Sequence, residues 1–119
     1  MFKHNPHPYV MDVNLPDFEE IVLNRSHEKP VLVDFWADWC GPCHVIAPNL
    51  MKAVEEHEGR VLLAKVEVDE GENMKLAGRY NVRGFPTIML FQNGEPAGHF
   101  SSARPLHFIR EFIDQHIEK

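Results

Sequence analysis

Val31-Leu32-Val33-Asp34-Phe35-Trp36-Ala37-Asp38-Trp39-Cys40-Gly41-Pro42-Cys43-His44 changes character twice within one short stretch. Its first half is apolar on both faces of an extended chain apart from one acid, Asp34, as a central strand of an α/β sheet requires. From Cys40 onward, Val45, Ile46, Leu50, Ala53, Val54 and His57 recur at helical spacing, and Gly59 sits where a C-terminal cap belongs. The only two cysteines of the chain therefore open a helix directly after a buried strand.

Working outward, residues 1–8 read as a flexible tail, with prolines and histidines but no periodicity, and the remainder, 9–119, as one domain. Tyr9 to Val13 suits a short edge strand. Asn14 is placed to cap a first helix, with Pro16 in its first turn and Phe18, Ile21 and Val22 on one face up to Ser26. Beyond the cysteine helix, Val61 to Asp69 reads as a strand, Asn73 to Tyr80 as a short helix and Thr87 to Phe91 as a strand. Asn93-Gly94 is a tight hairpin turn into Pro96 to Phe100. Leu106, Ile109, Phe112, Ile113 and Ile117 mark a final amphipathic helix. The order βαβαβαββα predicts an α/β fold with a central mixed sheet and helices on both faces.

With 119 residues, the chain is long enough to bury a core without disulfide staples, so two cysteines are functional rather than a framework. Twelve Lys and Arg against eighteen Asp and Glu give a formal charge of −6, and no window carries a basic stripe, which argues against nucleic acid as a partner. No stretch reaches the apolar length that spans a bilayer, and the first residues lack a leader's apolar region. The expectation is a soluble, cytoplasmic monomer, unless a leader was removed.

Cys40-Gly41-Pro42-Cys43 followed by His44 has three readings: a redox dithiol, half of a zinc site, or a haem-attachment string. A strand-to-helix junction puts Cys40 where unpaired N–H groups and the positive end of the helix dipole favour a thiolate. Lowering a thiol pKa from about 8.5 to about 7 takes ~2 kcal/mol, within reach of a dipole plus one hydrogen bond. Cys43, one turn along, can then attack a mixed disulfide on Cys40 at high effective concentration.

Two separated motifs give the chain a family likeness. Phe35-Trp36-Ala37-Asp38-Trp39-Cys40-Gly41-Pro42-Cys43 resembles the active-site segment of the thioredoxin family, and Val82-Arg83-Gly84-Phe85-Pro86-Thr87 resembles its cis-proline loop. The resemblance covers roughly Tyr9 to Ile117 and implies the thioredoxin fold and a protein disulfide oxidoreductase, mainly reducing. It implies Cys40 as nucleophile and Cys43 as resolving thiol, the two forming the redox-active disulfide. It also implies that Trp39, Gly41, Pro42, Gly84, Phe85 and a cis Pro86 line the substrate groove. No bound cofactor or metal is implied; electrons would come from NADPH through thioredoxin reductase to disulfide-containing proteins.

Asp34, an acid in an apolar strand, is expected to have a raised pKa and to accept the proton of Cys43, although a strand-end acid facing water would look the same. Lys65 resembles the family's partner lysine for that acid, beside the plainer reading of a solvated lysine. His57 is expected on the helix face. The acids Glu67, Asp69, Glu70 and Glu72 are expected to form a solvated strand end and loop, and Met11, Met51, Met74 and Met89 core or surface positions. Haem attachment leaves the preceding strand and the Gly84-Phe85-Pro86 loop unexplained, and zinc lacks a second pair of ligands at suitable spacing. The rival function is a thioredoxin-like binding or chaperone-linked module with secondary redox activity. His44, where family members often carry Lys or Arg, and Ser102, where many carry Gly, leave partner choice open.

Overall fold

The structure, a computed structural model, describes residues 7–117, so most of the expected 1–8 tail lies outside the described residues. His7 and Pro8 are the exceptions; the His7 ring meets Glu55 Oε2 at 3.1 Å. Five strands form one sheet: β1 (Val10–Asp12), β2 (Val31–Trp36), β3 (Leu62–Glu67), β4 (Thr87–Gln92) and β5 (Glu95–Ser101). Their order is β1-β3-β2-β4-β5. The pairs β1/β3 and β2/β3 run parallel, whereas β2/β4 and β4/β5 run antiparallel, so the sheet is mixed as expected.

Strand β2 lies at the centre, which explains its unbroken apolar run. Val31, Val33 and Phe35 feed a cluster with Phe18, Val22, Leu76 and Ala77 on one side. Leu32 feeds a second cluster on the other, with Ile46, Leu50 and Val54 of α2 (Gly41–Glu56) and Ile109 and Ile113 of α4 (Leu106–Ile117). Helices thus cover both faces, with α1 (Leu15–Phe18) and α3 (Met74–Arg79) on the first. The Asn93-Gly94 turn has both residues at positive φ, 55° and 86°, as a two-residue hairpin matched to strand twist requires.

The first helix departs from expectation. Only Leu15–Phe18 is α-helical; the chain widens into a π-helical stretch, Glu19–Asn24, and tightens into a 3₁₀ turn, Arg25–His27. Its buried residues, Phe18, Val22 and Ser26, recur every four positions, wider than the 3.6-residue α-turn, and the looser pitch keeps them on one face. Ser26 then caps the β4–β5 turn, its Oγ accepting from the Gly94 N–H at 2.8 Å and its carbonyl from the Asn93 N–H at 2.8 Å.

At the end of α2 the cap also differs in detail. His57 is the capping residue, Glu58 takes a left-handed φ of 52° and Gly59 one of 91°. His57 lies on the buried face of the helix, with Nδ1 2.7 Å from the Ala53 carbonyl and Nε2 2.8 Å from Asp114 Oδ1 on α4.

Candidate active site

The end of β2 delivers the chain into the cysteine pair. Cys40 is extended, with φ −93° and ψ 107°, and its Sγ accepts from the Cys43 N–H at 3.2 Å, so the sulfur occupies the N-cap of α2. A hydrogen bond and the positive helix end converge on that sulfur, and both stabilise a thiolate. Cys40 and Cys43 are joined in a disulfide with Cα atoms 5.3 Å apart. The two sulfurs are thus bonded to each other, the oxidised state of a redox dithiol. Cys40 is 4% exposed and Cys43 2%, so the first sulfur barely reaches the surface.

Around this disulfide the expected groove residues assemble. Trp39 is 68% exposed, yet held: its Nε1–H donates to Asp69 Oδ2 at 2.7 Å. Its ring stands edge-on to Phe85, centroids 6.0 Å apart, and Phe85 packs on the core cluster containing both cysteines. The Phe85-Pro86 peptide is cis. Thr87 Oγ1–H donates to the Gly84 carbonyl at 2.7 Å, and the Ser102 N–H to the Pro86 carbonyl at 3.2 Å, which pins the loop from both sides. Among the described residues no hydrogen bond engages the backbone of Phe85, leaving it open to an extended segment. At Gly41 and Gly84 an added Cβ would meet nothing within 4 Å, so both border open space.

Asp34 shares its face of β2 with Leu32, which clusters with Ile46 and Leu50, and with Trp36, whose ring is 5.9 Å from His44. It therefore lies on the face of the sheet that α2 covers. The carboxyl is 1% exposed, and its Oδ1 has no hydrogen-bond partner among the described residues. Burial pushes its pKa up to about 7 from 3.8, against an opposing pull from Lys65. Asp34 is thus no water-facing strand end. Lys65 lies directly opposite it across the β2/β3 pair, with its Nζ 5.0 Å from the Trp36 ring centroid. The lysine is half-buried rather than fully solvated.

Three contributors escaped the sequence reading. Asp69, in the acidic loop after β3, orients Trp39. Glu67, the last residue of β3, is held above the usual carboxylate range, chiefly by burial and then by Glu70, Asp38, Asp69 and Asp12. Asn73, wholly buried, accepts from the Leu15 N–H at 2.7 Å and donates to Asn14 Oδ1 at 2.8 Å and the Glu67 carbonyl at 2.9 Å. It ties α1, β3 and the Asp69 loop together; the only signal for it was an amide at a helix start. His44 contacts Asp38, Nε2 to the backbone carbonyl at 2.7 Å. Ser102 has φ 77°, the left-handed conformation that glycine adopts without cost.

The thioredoxin family profile matches residues 9–115. The chain belongs to the thioredoxin family. It is 40% identical over 108 residues to the thioredoxin of Haemophilus influenzae, covering 91% of this chain and 97% of that one. It is 40% identical over 101 residues to the thioredoxin of Chlorobaculum thiosulfatiphilum, covering 85% and 90%. It is also 38% identical over 108 residues to the chloroplastic M-type thioredoxin of Spinacia oleracea, covering 91% and 58%. Family and disulfide together make the protein a thiol-disulfide oxidoreductase whose chemistry needs no cofactor beyond its two sulfurs. Among the described residues no helix is long and apolar enough to cross a membrane.

Proposed function

We propose that the protein reduces disulfides in other proteins, with Cys40 as nucleophile and Cys43 as resolving thiol. The observation that carries this reading is the Cys40–Cys43 disulfide at the N-terminus of α2, with Cys40 Sγ in the cap. In the reduced protein the Cys40 thiolate attacks one sulfur of a substrate disulfide, forming a mixed disulfide and releasing one substrate thiolate. The Asp34 carboxylate takes the proton of Cys43, whose thiolate attacks the Cys40 sulfur. That step forms the Cys40–Cys43 bond and releases the second substrate thiolate, so two electrons pass to the substrate and each released thiolate takes up a proton. Lys65 moderates the cost of the Asp34 charge.

Trp39, Gly41, Pro42, Gly84, Phe85 and Pro86 bind the substrate: an extended segment pairs with the backbone of Phe85 while Trp39 and Phe85 flank it. The family implies thioredoxin reductase as the partner that returns the disulfide to dithiol. The protein works as a monomer in the cytoplasm, where the thiol pool favours the reduced state. Insulin reduction coupled to thioredoxin reductase and NADPH tests this: sustained NADPH consumption is expected. A binding module with secondary redox activity would give only slow, trace consumption.

A further inference from the structure

A cavity of about 550 Å³ opens beside the cis-proline loop and is not used by the exchange chemistry. Gly84, Thr87 and Ser101 form its near wall, so it begins one residue from Phe85, whose backbone receives the substrate. Its other walls include Tyr80, Arg83 and His99. None of the described residues lining it is acidic, in a chain of formal charge −6. Arg83 and His99 are exposed and form no ion pair among the described residues.

The opposite rim has the reverse charge. Asp69 holds the Trp39 indole, and Trp39 meets Phe85 edge-on, so the order across the groove is Asp69, Trp39, Phe85, Gly84, cavity. On the acidic side Glu67, Asp38 and Glu70 join Asp69, close enough together to add to the rise that burial gives the Glu67 pKa. An extended segment lying along Phe85 therefore runs from a negative rim to a cationic pocket.

We propose that this cavity is a subsite for an Asp or Glu side chain of the substrate protein, within about three residues of its reacting cysteine. The proposal rests on the disulfide-reductase reading. Strand residues advance about 3.3 Å each, so a carboxylate a few positions from the cysteine can pass Gly84 and meet the Arg83 guanidinium. Arginine presents a fork of donors that fits a carboxylate with two parallel bonds. An acid on the other flank would face Asp38 and Asp69 and be repelled. The polarity thus selects both the sequence and the direction in which a substrate lies.

The test uses the reduced full-length protein and synthetic peptide disulfides that differ only in Glu or Gln, placed on either flank of the attacked cysteine. Second-order reduction rates are read by quenching and chromatography. A partly exposed charge pair corresponds to about a two- to fivefold advantage of Glu over Gln on one flank at low ionic strength. On the other flank Glu should be slower than Gln. R83Q should bring the favourable ratio to about one, as should about 0.5 M salt, which shortens electrostatic reach to a few ångströms. Equal rates for Glu and Gln on both flanks, or a ratio that R83Q leaves intact, overturn the subsite alone. Reduction of neither peptide overturns the reductase reading with it.

Discussion

Replacing Asp34 by Asn should stabilise the protein above neutral pH and slow the second half of its reaction. The buried carboxyl has a folded pKa of about 7 against 3.8 unfolded. Well below pH 3.8 it is protonated in both states and contributes no pH dependence. As pH rises through the unfolded and then the folded value, the unfolded chain sheds its proton first, and native stability falls until the pH passes 7. A shift of about three units at 1.36 kcal/mol each places the full loss at roughly 4 kcal/mol. Relaxation around a charged Asp34 lowers that figure, so we expect a gain for Asp34→Asn of about 2–4 kcal/mol at pH 8. At pH 4, where only the unfolded carboxyl has begun to ionise, the gain should fall below about 1 kcal/mol. The amide inherits the site of the unpartnered Oδ1, so no existing hydrogen bond at that atom is lost. Denaturant melts of both proteins from pH 4 to pH 9 measure the difference directly, and single-turnover reduction reports the slower release from the mixed disulfide. Parallel stability curves across that range, with unchanged turnover, would refute the reasoning.

Two further substitutions test the scaffold. Asn73→Ala removes the partner of the Leu15 N–H and one of two donors to the Glu67 carbonyl, which keeps the Glu70 N–H, and should cost about 2–3 kcal/mol in denaturant melts; a loss below half of that would mean water replaces the amide freely. Ser102→Gly relieves a left-handed serine whose N–H bond to the Pro86 carbonyl is retained, and should raise stability by about 1 kcal/mol. An unchanged or lower melting midpoint would show that the serine side chain repays its backbone cost.

What the sequence disclosed was periodicity and punctuation. The doubly apolar β2, the cysteines at the following helix, the Asn93-Gly94 turn and the amphipathic α4 all carry local patterns, and all stand where those patterns put them. The features that escaped depend on residues distant in sequence. Asn73 reaches back 58 positions to Leu15, His57 meets Asp114 57 positions on, and Asp69 holds Trp39 across 30. No local propensity encodes such pairings, and a buried polar residue looks like a solvated one until its partner is placed. The π-helical stretch of Glu19–Asn24 escaped for a related reason, since its pitch follows the anchoring of Ser26 on the distant hairpin. Asp34 was legible because its apolar neighbours announced its burial.

The account rests on Cys40 attacking and Cys43 resolving, and trapping the intermediate tests this most directly. Reduced Cys43→Ser protein, mixed with a disulfide substrate and resolved on a non-reducing gel, should accumulate a covalent adduct that peptide mapping places on Cys40. Cys40→Ser should form no such adduct and reduce nothing. Normal turnover by Cys43→Ser, or adduct formation through Cys43 in Cys40→Ser protein, would contradict the assignment.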